Sequence, residues 1–207
     1  MSTDTPSAQA DLAFMRALVE GGGGQVPVAF GETYLAAGLI YGLQILIQSS
    51  QALGLPALPP QAELVAGVLP TIIFVPVLAW IIWRNRRAGQ GGSTSRAVGA
   101  TFGCIGVANL ALICVIGSVA LRQKSLETWL IYPCVVFVLQ GAAWLVSCAL
   151  RKRAWQGLVG VGWFAAAMGM ALCIGSIQQY AIVAGLSMLL LMVIPGAVMI
   201  RLARRSA

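Results

Sequence analysis

Apolar residues along this chain gather into long unbroken runs instead of alternating with polar ones. Six runs stand out, at about 34–54, 64–83, 98–121, 129–150, 156–175 and 180–200. Each has the roughly 20 residues that an α-helix rising 1.5 Å per residue needs to cross about 30 Å of hydrocarbon. Membrane-spanning strands would alternate in polarity over about ten residues, and these runs do not. The pattern predicts an all-α membrane protein, a six-transmembrane-helix bundle. The division between the last two runs rests only on Ser176, Gln178, Gln179 and Tyr180, so one merged fifth span is the competing count.

The polar intervals set the domain organisation. Residues 1–31 form a cytoplasmic N-terminal segment, 32–201 the six-helix domain and 202–207 a basic tail. Asp11 to Glu20 places Leu12, Met15, Leu18 and Val19 at helical spacing, and Gly21 to Gly24 ends the run; the spacing predicts a short amphipathic helix on the cytoplasmic face. No basic n-region with an apolar h-region is found, so no signal peptide is expected. Gly89 to Ser95 reads as a flexible loop and Leu55 to Gln61 as one stiffened by proline.

Composition bears this out: 59% of residues are hydrophobic and 9% charged, against about 25% charged in soluble domains. That excludes a water-soluble globular fold. The net charge of +7 is distributed beside the apolar runs. Arg84, Arg86, Arg87 and Arg96 follow the second, Arg151, Lys152 and Arg153 the fourth, and Arg201, Arg204 and Arg205 the sixth. With Arg16 these make up all of the 13 basic residues except Arg122 and Lys124. Basic flanks are retained in the cytoplasm, and an even number of spans separates successive clusters. Both termini are therefore expected in the cytoplasm of a bacterial-type plasma membrane, with the arginine face on anionic lipid. The basic residues form no stripe interleaved with aromatics, which excludes nucleic acid as a partner.

Pro70 to Val75 (PTIIFV) and Pro133 to Val138 (PCVVFV) share a pattern, each followed by tryptophan and a basic cluster. Val98, Gly99 and Phe102 likewise match Val159, Gly160 and Phe164. These matches suggest three helical hairpins in parallel repetition. Gly38 and Gly42, then Gly99, Gly103 and Gly106, then Gly157, Gly160, Ala165 and Gly169 give small-residue faces that let helices approach closely in lipid. They mark the first, third and fifth helices as inner packing elements. Intramolecular packing is the leading reading and a homo-oligomer seam the other.

Candidate chemistry is sparse. The chain has no histidine, which removes the commonest general base and most zinc and haem sites. Cys104, Cys114, Cys134, Cys148 and Cys173 lie in apolar runs and read as packing residues. Ser147 has no base to activate it, and Gly21 to Gly24 lacks the Lys-Ser/Thr of a phosphate loop. No catalytic residue, metal or cofactor is expected. Intramembrane polar residues are then the functional suspects. Asn109 and Gln140 stand about 16 to 20 Å from their basic ends at helical rise, which predicts an amide latch across one hairpin or the lining of a solute path. Glu32 is expected to cap the first helix, where the dipole favours a carboxylate, with an ion pair to the arginines as the alternative. Gln44 and Gln48 share one face of that helix. Pro70, Pro76, Pro133 and Pro195 are expected to loosen their helices. Together these readings predict a non-catalytic scaffold or accessory subunit with a membrane-protein partner. The alternative is a small transporter or channel for a neutral solute, lined by Gln44, Gln48, Asn109 and Gln140.

Overall fold

The computed structural model describes residues 28–49, 59–86 and 93–205. Among these the chain is 93% helical with no strand. Six helices are long and apolar enough to cross a membrane: α1 Val28–Gln48, α2 Pro60–Asn85, α3 Ser93–Gln123, α4 Leu126–Arg151, α5 Ala154–Leu172 and α6 Ile177–Arg205. The protein is a multi-pass membrane protein folded as a six-helix bundle. The amphipathic segment before Gly21, the basic residues Arg16 and Arg87, and most of both predicted loops lie outside the described residues.

The helices overrun the apolar runs because polar residues continue them at their ends. Ser93 to Ser95, read as loop, form the first turn of α3, and residues 28–31 belong to α1. Pro60 opens α2, where its missing N–H is no loss. The turn from Cys173 to Ser176 separates α5 from α6, so the merged span is not formed. Two turns reverse the chain tightly through lysines in the left-handed region, Lys124 at φ 50° and Lys152 at φ 52°. After the first, Ser125 caps α4 by accepting the Thr128 N–H at 3.2 Å.

Packing runs in the order α2, α1, α6, α5, α4, α3. The core lies among α1, α4, α5 and α6, where Tyr34, Phe137, Trp144, Trp163, Met170 and Met199 are buried. Along their apolar spans α2 and α3 are only 6% buried, against 33% for α4, α5 and α6. Pairing within a hairpin holds for α1 with α2 and for α3 with α4, whereas α5 lies chiefly on α4, and α6 on α1.

Glycines explain which helices come inside. At α1 against α6, a β-carbon on Gly38 would lie 2.6 Å from Met192 Cβ, and one on Gly196 would lie 2.8 Å from the Leu35 nitrogen and 2.9 Å from the Gly31 oxygen. At α4 against α5, Gly141 and Gly160 face each other, each 3.0 Å from the other's carbonyl oxygen by the same construction. Lipid gives no advantage to burying Leu on Leu, so these close backbone approaches carry the association. The α3 glycines differ: nothing lies within 4 Å of a β-carbon on Gly99, Gly103 or Gly106. The expectation that α3 is an inner element is therefore corrected. Its glycine face is open because α4 is met by other residues of α3, among them Phe102 against Trp144.

Midway along α6, Leu189–Val193 widens into one π-helical turn before Pro195. Proline lacks the N–H for the Leu191 carbonyl and crowds it, and a wide turn relieves both faults. The wide turn seats Met192 and Val193 against Gly38.

Three contacts bring the basic clusters to one end of the bundle. Arg84 of α2 pairs with Glu32 of α1, Arg151 of α4 reaches Ser95 of α3, and Gly196 of α6 lies on Gly31 of α1. Arg122, in the last turn of α3, and Lys124, in the turn that follows it, lie at the opposite end.

Candidate functional site

The amides singled out from the sequence do not gather. Tyr132 donates to Asn109 Oδ1 at 2.9 Å between α4 and α3. Tyr34 of α1 stands 3.5 Å from Gln140 Oε1. The predicted Asn109–Gln140 latch is thus replaced by two separate tyrosine contacts. Gln140 lies beside the core-facing stripe of Phe137, Gly141 and Trp144, so its amide turns toward α1 and away from α3. Gln44 Nε2 donates to the Gly67 carbonyl at 3.3 Å, in an apolar groove of about 290 Å³ between α1 and α2 lined by Leu39, Leu43, Leu69 and Ile73. Gln48 is exposed one turn further on, its amide nitrogen 3.7 Å from a β-carbon position at Gly67.

Glu32 does not cap α1. The chain is already helical at Val28, which leaves Glu32 beyond the orphan N–H groups of a first turn. Its carboxylate pairs with Arg84, whose guanidinium also lies 4.3 Å from the centre of the Trp80 ring. A cation shared between a carboxylate and an aromatic face fixes the basic ends of α1 and α2 together.

Arg84, Arg86, Lys152, Arg201, Arg204 and Arg205 are exposed. Arg151 departs from them. Its Nε and Nη1 are shut off from solvent and have no hydrogen-bond partner, and Nη2 reaches Ser95 Oγ only at 3.4 Å. The side chain borders a cavity of about 40 Å³ lined also by Ser95, Ser147, Gln156, Trp144 and Phe30. Ser147 donates to Gln156 Oε1 at 3.0 Å, a bond that does not use the two N–H groups of the amide. Ser147 and Gln156 are 3% and 1% exposed, so these groups lie inside the protein, roofed at one side by Trp144. The Trp144 Nε1 donates to Tyr34 Oη at 2.7 Å, and the two rings meet edge to face at 5.4 Å. Donors dominate this lining, and it contains no carboxylate. Such a cavity suits binding of an electron-rich group and offers nothing to accept a proton.

A second buried polar junction locks α6 to α4. Tyr180 donates to the Leu130 carbonyl at 2.8 Å, with Cys134 Sγ 3.8 Å from the hydroxyl. Pro133 lies in α4 at this level, and the carbonyl it deprives of an N–H partner is that of Trp129, the residue before Leu130.

Sequence reasoning missed the tyrosines and the Ser95, Ser147 and Gln156 group. Ser147 lies one turn from Arg151 on α4, which places both on one face at the same end of the helix. No protein-family model, no curated protein and no solved structure matches this chain.

Proposed function

We propose that this protein is a non-catalytic scaffold or accessory subunit that holds a partner membrane protein against α3. In this reading both termini are cytoplasmic in a bacterial-type plasma membrane, and the basic end rests on anionic lipid. One observation carries the proposal: α3 spans the bundle while only 6% buried, and no other part of the protein lies within 4 Å of a β-carbon at Gly103 or Gly106. Glycine at this spacing gives a smooth groove into which another helix can settle. On α1 and α5 comparable glycines are already filled by α6 and α4.

A photo-activated cross-linker at Gly103 in native membranes tests this reading. A discrete protein adduct is expected there, with lipid adducts alone at Leu172, which is 87% exposed. Gly103→Leu is expected to abolish the adduct formed from a probe at the neighbouring Val107 without lowering the unfolding temperature. Lipid adducts alone at all three positions contradict the proposal, and an adduct of twice the chain mass identifies the occupant as a second copy.

A further inference from the structure

We infer that the cavity at the basic end is a binding site for a phosphate-type oxyanion, with Arg151 as its principal ligand. The inference stands independently of what covers α3. A guanidinium carries five N–H donors in a planar fork suited to carboxylate and phosphate oxygens. Here two of its three nitrogens are enclosed and unbonded, and the third has only a long contact to Ser95. Among the described residues the recorded ion pair is Arg84 with Glu32, and no carboxylate lines the cavity. A cation enclosed without a counter-charge is costly, and an anion beside it removes the cost.

The remaining lining fits the same ligand. Gln156 keeps its amide N–H groups out of the bond to Ser147, whose hydroxyl hydrogen is committed to the amide oxygen. Gly99 leaves its side of the cavity unobstructed, with nothing within 4 Å of a β-carbon there. The volume of about 40 Å³ holds about three water-sized groups, close to the oxygens of one phosphate. Arg153, the residue before α5, lies one turn from Gln156 and adds positive potential at the same end. Phosphate presented here has two sources, a free ion in solution or the headgroup of an anionic lipid, since Arg151 is the last residue of the membrane-spanning helix α4.

Thermal unfolding of the purified protein separates the two. In uncharged detergent after delipidation, inorganic phosphate is titrated; in parallel, nanodiscs of phosphatidylcholine are compared with nanodiscs that also contain phosphatidylglycerol. A rise of about 3 °C or more is expected in the arm that supplies the natural source. Stabilisation by inorganic phosphate assigns a soluble ion, and stabilisation by phosphatidylglycerol alone assigns a headgroup. Arg151→Gln is expected to weaken the response about tenfold or more, while Arg204→Gln at the exposed tail leaves it intact. Should Arg151→Gln fail to fold, Ser95→Asp serves: a carboxylate beside Nη2 is expected to raise the ligand-free midpoint and erase the response. No stabilisation in either arm, an equal loss in Arg204→Gln, or an undiminished response in Ser95→Asp overturns the inference.

Discussion

Alanine at Gly196 lowers the stability of the bundle by about 3 kcal/mol or more, the upper range for overpacking, because the added carbon meets the backbone of α1. It would lie 2.8 Å from the Leu35 nitrogen and 2.9 Å from the Gly31 oxygen, and neither atom can move without shifting α1 as a whole. Side-chain neighbours yield more readily, so alanine at Gly162, which meets only the tip of Leu191 at 2.7 Å, is expected to cost less. Alanine at Gly103 meets nothing within 4 Å. There the change is expected to raise helix stability slightly, by about 0.5–1 kcal/mol, since glycine is the poorer helix former. Unfolding midpoints of the three variants in one detergent check the order. Equal losses at Gly196 and Gly103 would show that α1 and α6 do not approach as described.

Trp144→Ala is expected to cost about 3–5 kcal/mol, the range for truncating a fully buried aromatic. Trp144 is 1% exposed and touches Tyr34, Phe102 and Trp155 through edge-on or tilted ring contacts. In lipid the loss comes from dispersion contacts across the vacated volume and from the hydrogen bond to Tyr34. Trp144→Phe keeps most of the volume and removes only the donor, so about 1 kcal/mol is expected. The difference between the two variants separates packing from hydrogen bonding. Trp80→Ala supplies the control: that ring is 52% exposed, and its loss removes little beyond the Arg84 contact.

The fold class and all six spans were legible because hydrocarbon imposes a single rule on every residue of a span, and a run of about 20 apolar residues satisfies it whatever its neighbours. The helix order was not. Gly99 to Gly106 on α3 carries the same spacing as Gly38 to Gly42 on α1, yet one face is filled and the other open. Which glycine face is filled depends on the partner presented to it, and the π-helical turn before Pro195 that fills Gly38 has no mark in the sequence beyond the proline. The amides show the same limit. Asn109 and Gln140 matched in depth, but depth along a helix does not give the facing direction, and tyrosine hydroxyls at Tyr132 and Tyr34 were nearer. Arg151 was read by its charge alone. Its burial follows from the tight Lys152 turn, which folds α5 back so that Gln156 lies over the end of α4.

The account rests on hydrocarbon as the medium of the bundle, with the basic clusters on one side of it. Single cysteines at Gly92 and at Ser125, in a protein freed of its five native cysteines, are to be labelled in intact cells with a thiol reagent that cannot cross the membrane. Labelling at Ser125 and protection at Gly92 until the cells are opened is the predicted result. Labelling of both positions, or of neither, in intact cells would contradict it.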